Sequence, residues 1–181
     1  MKKQLIPINN NLLVTRHTPL KEGLIHRPDD IHQKAFYATI DAVGNGVKDT
    51  FLQPNLIIFV CPTARDNQRF EDKWIIKEHD ITAIRFGKTM RAFGNRVLIK
   101  RLNQETKIGS IIIPDCHDSA DQSLEGIIVS LGVKNGTIID FPSIGEKARI
   151  EKWSPDIIEI DVDGEYYLSV KTKEICYVEH A

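Results

Sequence analysis

The sequence predicts an all-β fold made of two small β-barrels in tandem. Three observations point there. The chain repeats itself in ordered blocks. Those blocks are short, rich in Val and Ile, and bounded by Gly, Pro, Asn and Asp, as strands are. No window of helical length has a clean 3.6-residue period.

The blocks match in order along the chain. Leu12-Leu13-Val14-Thr15-Arg16 lies over Val97-Leu98-Ile99-Lys100-Arg101, and Gly23 and Pro28 lie over Gly109 and Pro114. Thr39–Gly44 lies over Ile127–Gly132, and Trp74–Ile81 over Leu168–Ile175. The offset climbs from 85 to 94 residues, which is how a duplication drifts when loops change length and strands hold. Residues 1–87 are expected to form the first barrel and residues 90–181 the second, each with five to seven strands. Ile157–Val162, Asp163-Gly164 and Tyr166–Val170 read as a hairpin, because Asp-Gly suits the tight turn between two alternating runs. Gly87-Lys88-Thr89 is too short for a flexible tether, so the barrels are expected side by side.

Composition narrows the function classes. Of 181 residues, 24 are Lys or Arg and 25 are Asp or Glu, a formal charge of −1. That balance argues against nucleic acid as a partner and against steering to an anionic surface. No apolar run reaches the roughly 20 residues of a membrane span. The N-terminus, Met1-Lys2-Lys3-Gln4, has neither a signal-peptide core nor a transit-peptide composition, so a cytoplasmic location is expected. Cys61, Cys116 and Cys176 are far apart, without the spacing of a disulfide framework or a zinc site. The six histidines form no metal-binding cluster, and no glycine-rich phosphate loop follows a strand. Metal sites, catalytic residues and enzyme activity are therefore not expected.

The informative segment is a loop of about residues 103–123. It is polar except for Ile111-Ile112-Ile113, and a loop of that length in a compact domain usually carries function. Two readings are open for the triplet: an edge strand docked on its own barrel, or a mobile segment whose isoleucines dock in an apolar groove of another protein. The first copy has a loop at about residues 17–36, where Gly23-Leu24-Ile25-His26-Arg27-Pro28 stands at the matching place.

With those residues in view, the second copy resembles the GroES-type co-chaperonins, here in a tandem duplicated form. The resemblance is carried by Arg96–Arg101, Glu105–Pro114, Glu125–Gly132, Ile144–Ile150, Tyr167–Lys171 and Glu174–Glu179 in succession. The first copy is similar but more worn, keeping Ile6-Pro7-Ile8 and Val43-Gly44-Asn45-Gly46. The resemblance implies GroES-like barrels that join a homo-oligomeric ring through their terminal strands. That ring caps a GroEL-type chaperonin around an unfolded client protein. It implies docking through Ile111, Ile112 and Ile113, and more weakly through Leu24 and Ile25. It implies no cofactor of its own, since ATP is bound by the partner chaperonin. The segments Val47–Pro54 and Val133–Asp140, where the family builds a roof hairpin, are short, and an open dome is expected. Two rival readings stand beside this one. One is a structural ring or assembly protein, for example phage-encoded, that kept the barrel without chaperonin binding. The other is a barrel that binds single-stranded nucleic acid.

Overall fold

A computed structural model describes residues 5–17, 33–61, 68–70, 72–102, 106–108, 111–113, 124–134, 137–138, 142–151, 154 and 156–179. In chain order the strands of the first half are β1 (Asn11–His17), β2 (Gln33–Lys34), β3 (Phe36–Val43), β4 (Ile57–Val60), β5 (Gln68–Phe70), β6 (Lys73–Lys77) and β7 (Ile81–Phe86). The second half holds β8 (Thr89–Ala92), β9 (Arg96–Arg101), β10 (Thr106–Ile108), β11 (Ile111–Ile113), β12 (Leu124–Leu131), β13 (Val133–Lys134) and β14 (Thr137–Ile138). It continues with β15 (Lys147–Ile150), β16 (Ile158–Val162), β17 (Glu165–Lys171) and β18 (Ile175–Glu179). Single 3₁₀ turns, Glu78–Asp80 and Thr172–Glu174, precede β7 and β18. The chain is all-β, and among the described residues no helix is long and apolar enough to cross a membrane.

Two seven-stranded sheets carry the fold, in the orders β5-β6-β1-β3-β4-β7-β8 and β18-β15-β12-β9-β17-β16-β2. Read from opposite ends, six strands of each sheet follow the same path, with β1 matching β9, β3 matching β12 and β7 matching β18. The irregularities match as well. The β1–β3 ladder slips between Leu13 and Val14, and the β9–β12 ladder between Ile128 and Ser130. The last ladder slips at Phe59/Val60 in one sheet and at Arg149/Ile150 in the other. Such bulges bend and twist a strand, which is how a flat sheet is made to curl. Left-handed residues recur too, Asn9 with Gly94 and Asn55 with Gly145.

Alternation decides which side chains go inside. In β12 the burial pattern alternates strictly from Leu124 to Leu131, so one face packs inward and the other meets solvent or a neighbour. Leu12, Val14, Ile40, Ile58, Ile76 and Ile84 anchor the first core, and Val97, Ile99, Ile128, Ile150, Leu168 and Val170 the second. A third cluster joins the halves: Phe59 and Ala83 from the first sheet, Leu98, Ile160 and Tyr167 from the second, with Ala92 between them.

The link between the halves is a hairpin turn rather than a spacer. Gly87, left-handed at φ 60°, and Lys88 connect β7 to β8, and β8 adds to the edge of the first sheet with Ala83 opposite Ala92 and Phe86 opposite Thr89. The strand that opens the second half thus completes the first half's sheet.

Buried charge stabilises the end of the second sheet. Glu174 is buried, and a hydrogen bond from Ser154, then the Lys173 ammonium 3.0 Å away, hold its carboxyl below the usual range. A folded pKa below the unfolded value of 4.5 contributes stability that is present above about pH 4.5 and is lost as pH falls through the folded value. Wild type is therefore expected to lose melting temperature more steeply than Glu174→Gln as pH falls below about 4.5. Parallel slopes in a thermal-melt series would contradict this.

Candidate functional site

Two long connections leave the sheets at matching places. One joins β1 to β3 and the other joins β9 to β12. Both pairs are adjacent antiparallel strands, which two to five residues could join. At the base of the first connection the His17 and Tyr37 rings stack, with centroids 5.1 Å apart, and His17 Nε2 lies 2.7 Å from Thr39 Oγ1. The Arg16 guanidinium lies over the Phe36 ring at 4.5 Å. The second connection closes with the Leu102 N–H donating to Glu125 O at 3.2 Å.

Within the second connection β10 and β11 form a separate two-stranded unit, with Thr106 opposite Ile113, Lys107 opposite Ile112 and Ile108 opposite Ile111. The isoleucine triplet is thus a strand whose ladder is with β10, in neither seven-stranded sheet. Its backbone is held extended by local pairing. Leu24 and Ile25 lie outside the described residues. After them, β2 pairs in parallel with β16, Gln33 opposite Ile158, and the Ala35 N–H donates to Glu159 O at 2.8 Å. The end of the first connection is therefore tied to the second sheet. Nothing in the sequence announced that contact, because Gln33-Lys34 is a polar pair with no strand signal.

Val133–Lys134 and Thr137–Ile138 make a minimal hairpin, whereas residues 44–56 of the first half run through turns without a strand. Each approach is set by a glycine. Gly44 N–H donates to Asn11 O and Gly132 N–H to Arg96 O, both at 2.9 Å. A Cβ on Gly132 would stand 2.2 Å from Gly94 O, and one on Gly44 2.3 Å from Asn9 O.

Three titratable groups of the second half are tied into the fold by their partners. Burial pushes the Arg96 guanidinium down, and its Nη1 donates to Asp156 O and Ser169 O, each at 3.1 Å. Burial first, then its hydrogen bond to Glu165, pushes the Tyr167 phenol up to about 12. Lys171, then Lys173, hold Asp156 below the usual carboxylate range. A cleft lined by Phe51, Ile84, Arg91, Phe93 and Val133 has about 210 Å³, counting open solvent, below the roughly 300 Å³ at which small-molecule sites begin. Within the described residues the architecture offers a strand of isoleucines whose ladder is with β10, outside both seven-stranded sheets.

The family model described as the chaperonin 10 kDa subunit matches residues 89–178. The co-chaperonin GroES of Caulobacter vibrioides is 36% identical over 95 residues, which are 50% of this chain and 97% of that protein. The chain belongs to the GroES family. Co-chaperonin GroES of Novosphingobium aromaticivorans is 37% identical over 93 residues, covering 48% of this chain and 94% of the relative. That of Chlamydia caviae is 30% identical over 93 residues, covering 49% and 89%. A GroES-length relative thus spans only about half of this chain. The family match begins at Thr89, the first residue of β8, and includes the Ile111–Ile113 strand and both of its flanks.

Proposed function

We propose that this chain is a co-chaperonin built from two GroES-like barrels in tandem. It assembles with further copies into a ring that caps a GroEL-type chaperonin and encloses a client while the partner hydrolyses ATP. The observation that carries the reading is the Ile111–Ile113 strand, held in a hairpin apart from both main sheets within the half that matches the family. The duplication rests on the shared strand order, the shared bulges and the paired left-handed residues. The domains divide at Gly87-Lys88, with residues 1–87 supplying one barrel and residues 90–181 the other.

Docking falls to Ile111, Ile112 and Ile113, with Leu24 and Ile25 as the weaker set. Burying one isoleucine is worth about 1.5–3 kcal/mol, a roughly ten- to hundred-fold effect per loop. Ordering the loop opposes that gain, and a ring that presents several loops at once recovers it through effective concentration.

Capture of the full chain on an immobilised GroEL-type ring, with and without ATP, tests the reading. Wild type is expected to be retained with nucleotide, Ile112→Asp to lose more than about tenfold in retention, and Ile25→Asp to lose less. No retention of wild type under any nucleotide condition, or equal retention of Ile112→Asp, overturns it and leaves the structural-ring reading.

A further inference from the structure

The first connection has its two roots in different sheets. It leaves from β1, whose last residue, His17, is opposite Tyr37 in the first sheet. It arrives through β2, which ends the second sheet, with Gln33 opposite Ile158 and Lys34 opposite Glu159. The Ala35 N–H donates to Glu159 O at 2.8 Å. The next residue, Phe36, is 6% exposed and already pairs with Val60 in the first sheet. The chain thus crosses from one sheet to the other at Ala35.

Both roots also reach the cluster that joins the halves. Ala35 and Tyr37 pack against that cluster, while Phe36, between them, belongs to the first core. The His17 and Tyr37 ring centroids are 5.1 Å apart, and those of Tyr37 and Phe59 6.4 Å apart. An aromatic row therefore runs from the start of the connection to the junction, and a strand ladder ties its end there.

The second connection is rooted otherwise. Arg101 is opposite Gly126, the Leu102 N–H donates to Glu125 O, and Glu125 lies 2.8 Å from Lys147, all within the second half. Glu125 and Arg149, opposite each other on the outer face of the second half, hold the places that Tyr37 and Phe59 hold at the junction. Lys73 and Asp41, 3.1 Å apart on the outer face of the first half, hold the places of Tyr167 and Val129. The repeat of the fold does not repeat the tie.

We infer that β2 is a brace between the halves, and that it links the ordering of the first connection to the fixing of one half against the other. A ladder of two residues opens at low cost, so the brace adjusts where the apolar cluster is permanent. The second step rests on the capping reading above: a chaperonin that seats the first loop also stiffens the junction. By reciprocity a stiff junction favours that seating. Seating of the second loop acts on the second sheet alone.

Amide hydrogen exchange of residues 89–93 in the full chain tests it. This segment reads the junction, because the Phe93 N–H donates to Thr82 O at 3.2 Å and the Ala92 N–H to Ser130 Oγ at 3.0 Å. Ala35→Pro removes the N–H that crosses to Glu159 and leaves Lys34 in the extended region that suits a residue before proline. Ala35→Ser keeps the N–H. Exchange is expected to be about fivefold faster or more in Ala35→Pro than in wild type or Ala35→Ser. A disulfide makes the opposite change. Lys34→Cys/Glu159→Cys, in a Cys61→Ser/Cys116→Ser/Cys176→Ser background, joins an in-register pair on strands roughly 4.8 Å apart, within disulfide reach. The oxidised form is expected to exchange more slowly than the reduced form. Equal exchange in the two redox forms overturns the brace, and this comparison decides the matter if Ala35→Pro does not fold. Equal exchange in folded Ala35→Pro and wild type overturns it as well. An excess of a GroEL-type ring with ATP is then expected to slow exchange in wild type and not in Ala35→Pro. Retention of wild type without slowing overturns the link to docking and leaves the capping reading. No retention overturns the capping reading, and the brace is then decided by exchange in the free chain.

Discussion

Gly132→Ala is expected to destabilise the second half by about 3 kcal/mol or more, at the upper end of what overpacking costs. The new Cβ would stand 2.2 Å from Gly94 O and 2.7 Å from Arg96 O. Both are backbone atoms, so no flexible side chain can swing aside. The carbonyl of Arg96 also accepts the Gly132 N–H, and any shift that relieves the clash loses that bond. Gly44→Ala should cost the first half a similar amount, since its Cβ would meet Asn9 O at 2.3 Å and Asn11 O at 2.7 Å. Urea unfolding at constant temperature checks both, with a lower midpoint and an unchanged slope as the signature of lost stability. A midpoint within error of wild type would mean that the backbone crossing at the end of β12 is looser than described.

Phe59→Ala is expected to cost about 3–5 kcal/mol, the usual range for removing a buried phenylalanine, and to change the character of unfolding. Phe59 is 3% exposed and belongs to the cluster shared by both sheets rather than to either separate core. Removing it weakens the contact that couples the halves. Wild type should melt in one transition, whereas Phe59→Ala should show two. Arg149→Ala, at the matching position on the outer face, should leave the melting profile of the isolated chain nearly unchanged, because exposed charges contribute little. Calorimetry of the two variants side by side separates these outcomes, and one cooperative transition in Phe59→Ala would show that the shared cluster does not couple the halves.

Most of the architecture was legible in the order of the residues. The blocks around Leu12, Thr39 and Trp74 and their partners around Val97, Ile127 and Leu168 became strands, broken only by the 3₁₀ turns Glu78–Asp80 and Thr172–Glu174, because the runs are β-branched and bounded by turn residues. Asp163-Gly164 became the turn between β16 and β17, with both residues at positive φ. The isoleucine triplet was singled out as unusual, and the structure makes it a strand. Whether it pairs with its own sheet was open in the sequence, since three apolar residues satisfy an edge strand and a presented strand equally well.

Other features were hidden for definite reasons. Gly44 and Gly132 stood out only as a matched pair, and what they accommodate, the carbonyls of Asn9 and Gly94 far back along the chain, leaves no mark in residue type. Gly87-Lys88-Thr89 was visible as a short link, but its use as a hairpin turn was not, since pairing between β7 and β8 depends on where the second sheet lies. The parallel contact of β2 with β16 sets the polar pair Gln33-Lys34 against Ile158 and Glu159, and β2 itself carries no periodic signal.

Strand content, the matched blocks, the loop with its isoleucines and the family resemblance are all written in the residue order. All of these follow from local patterns of burial and turn chemistry. Packing in three dimensions settles that β8 closes the first sheet, that the junction within the chain is apolar, and that the equivalent outer faces are charged. Those facts belong to pairs of residues far apart in the chain, such as Phe59 with Tyr167 and Arg149 with Tyr177. Whether each side chain meets water, its own sheet or a neighbour is settled by packing, which residue order does not specify.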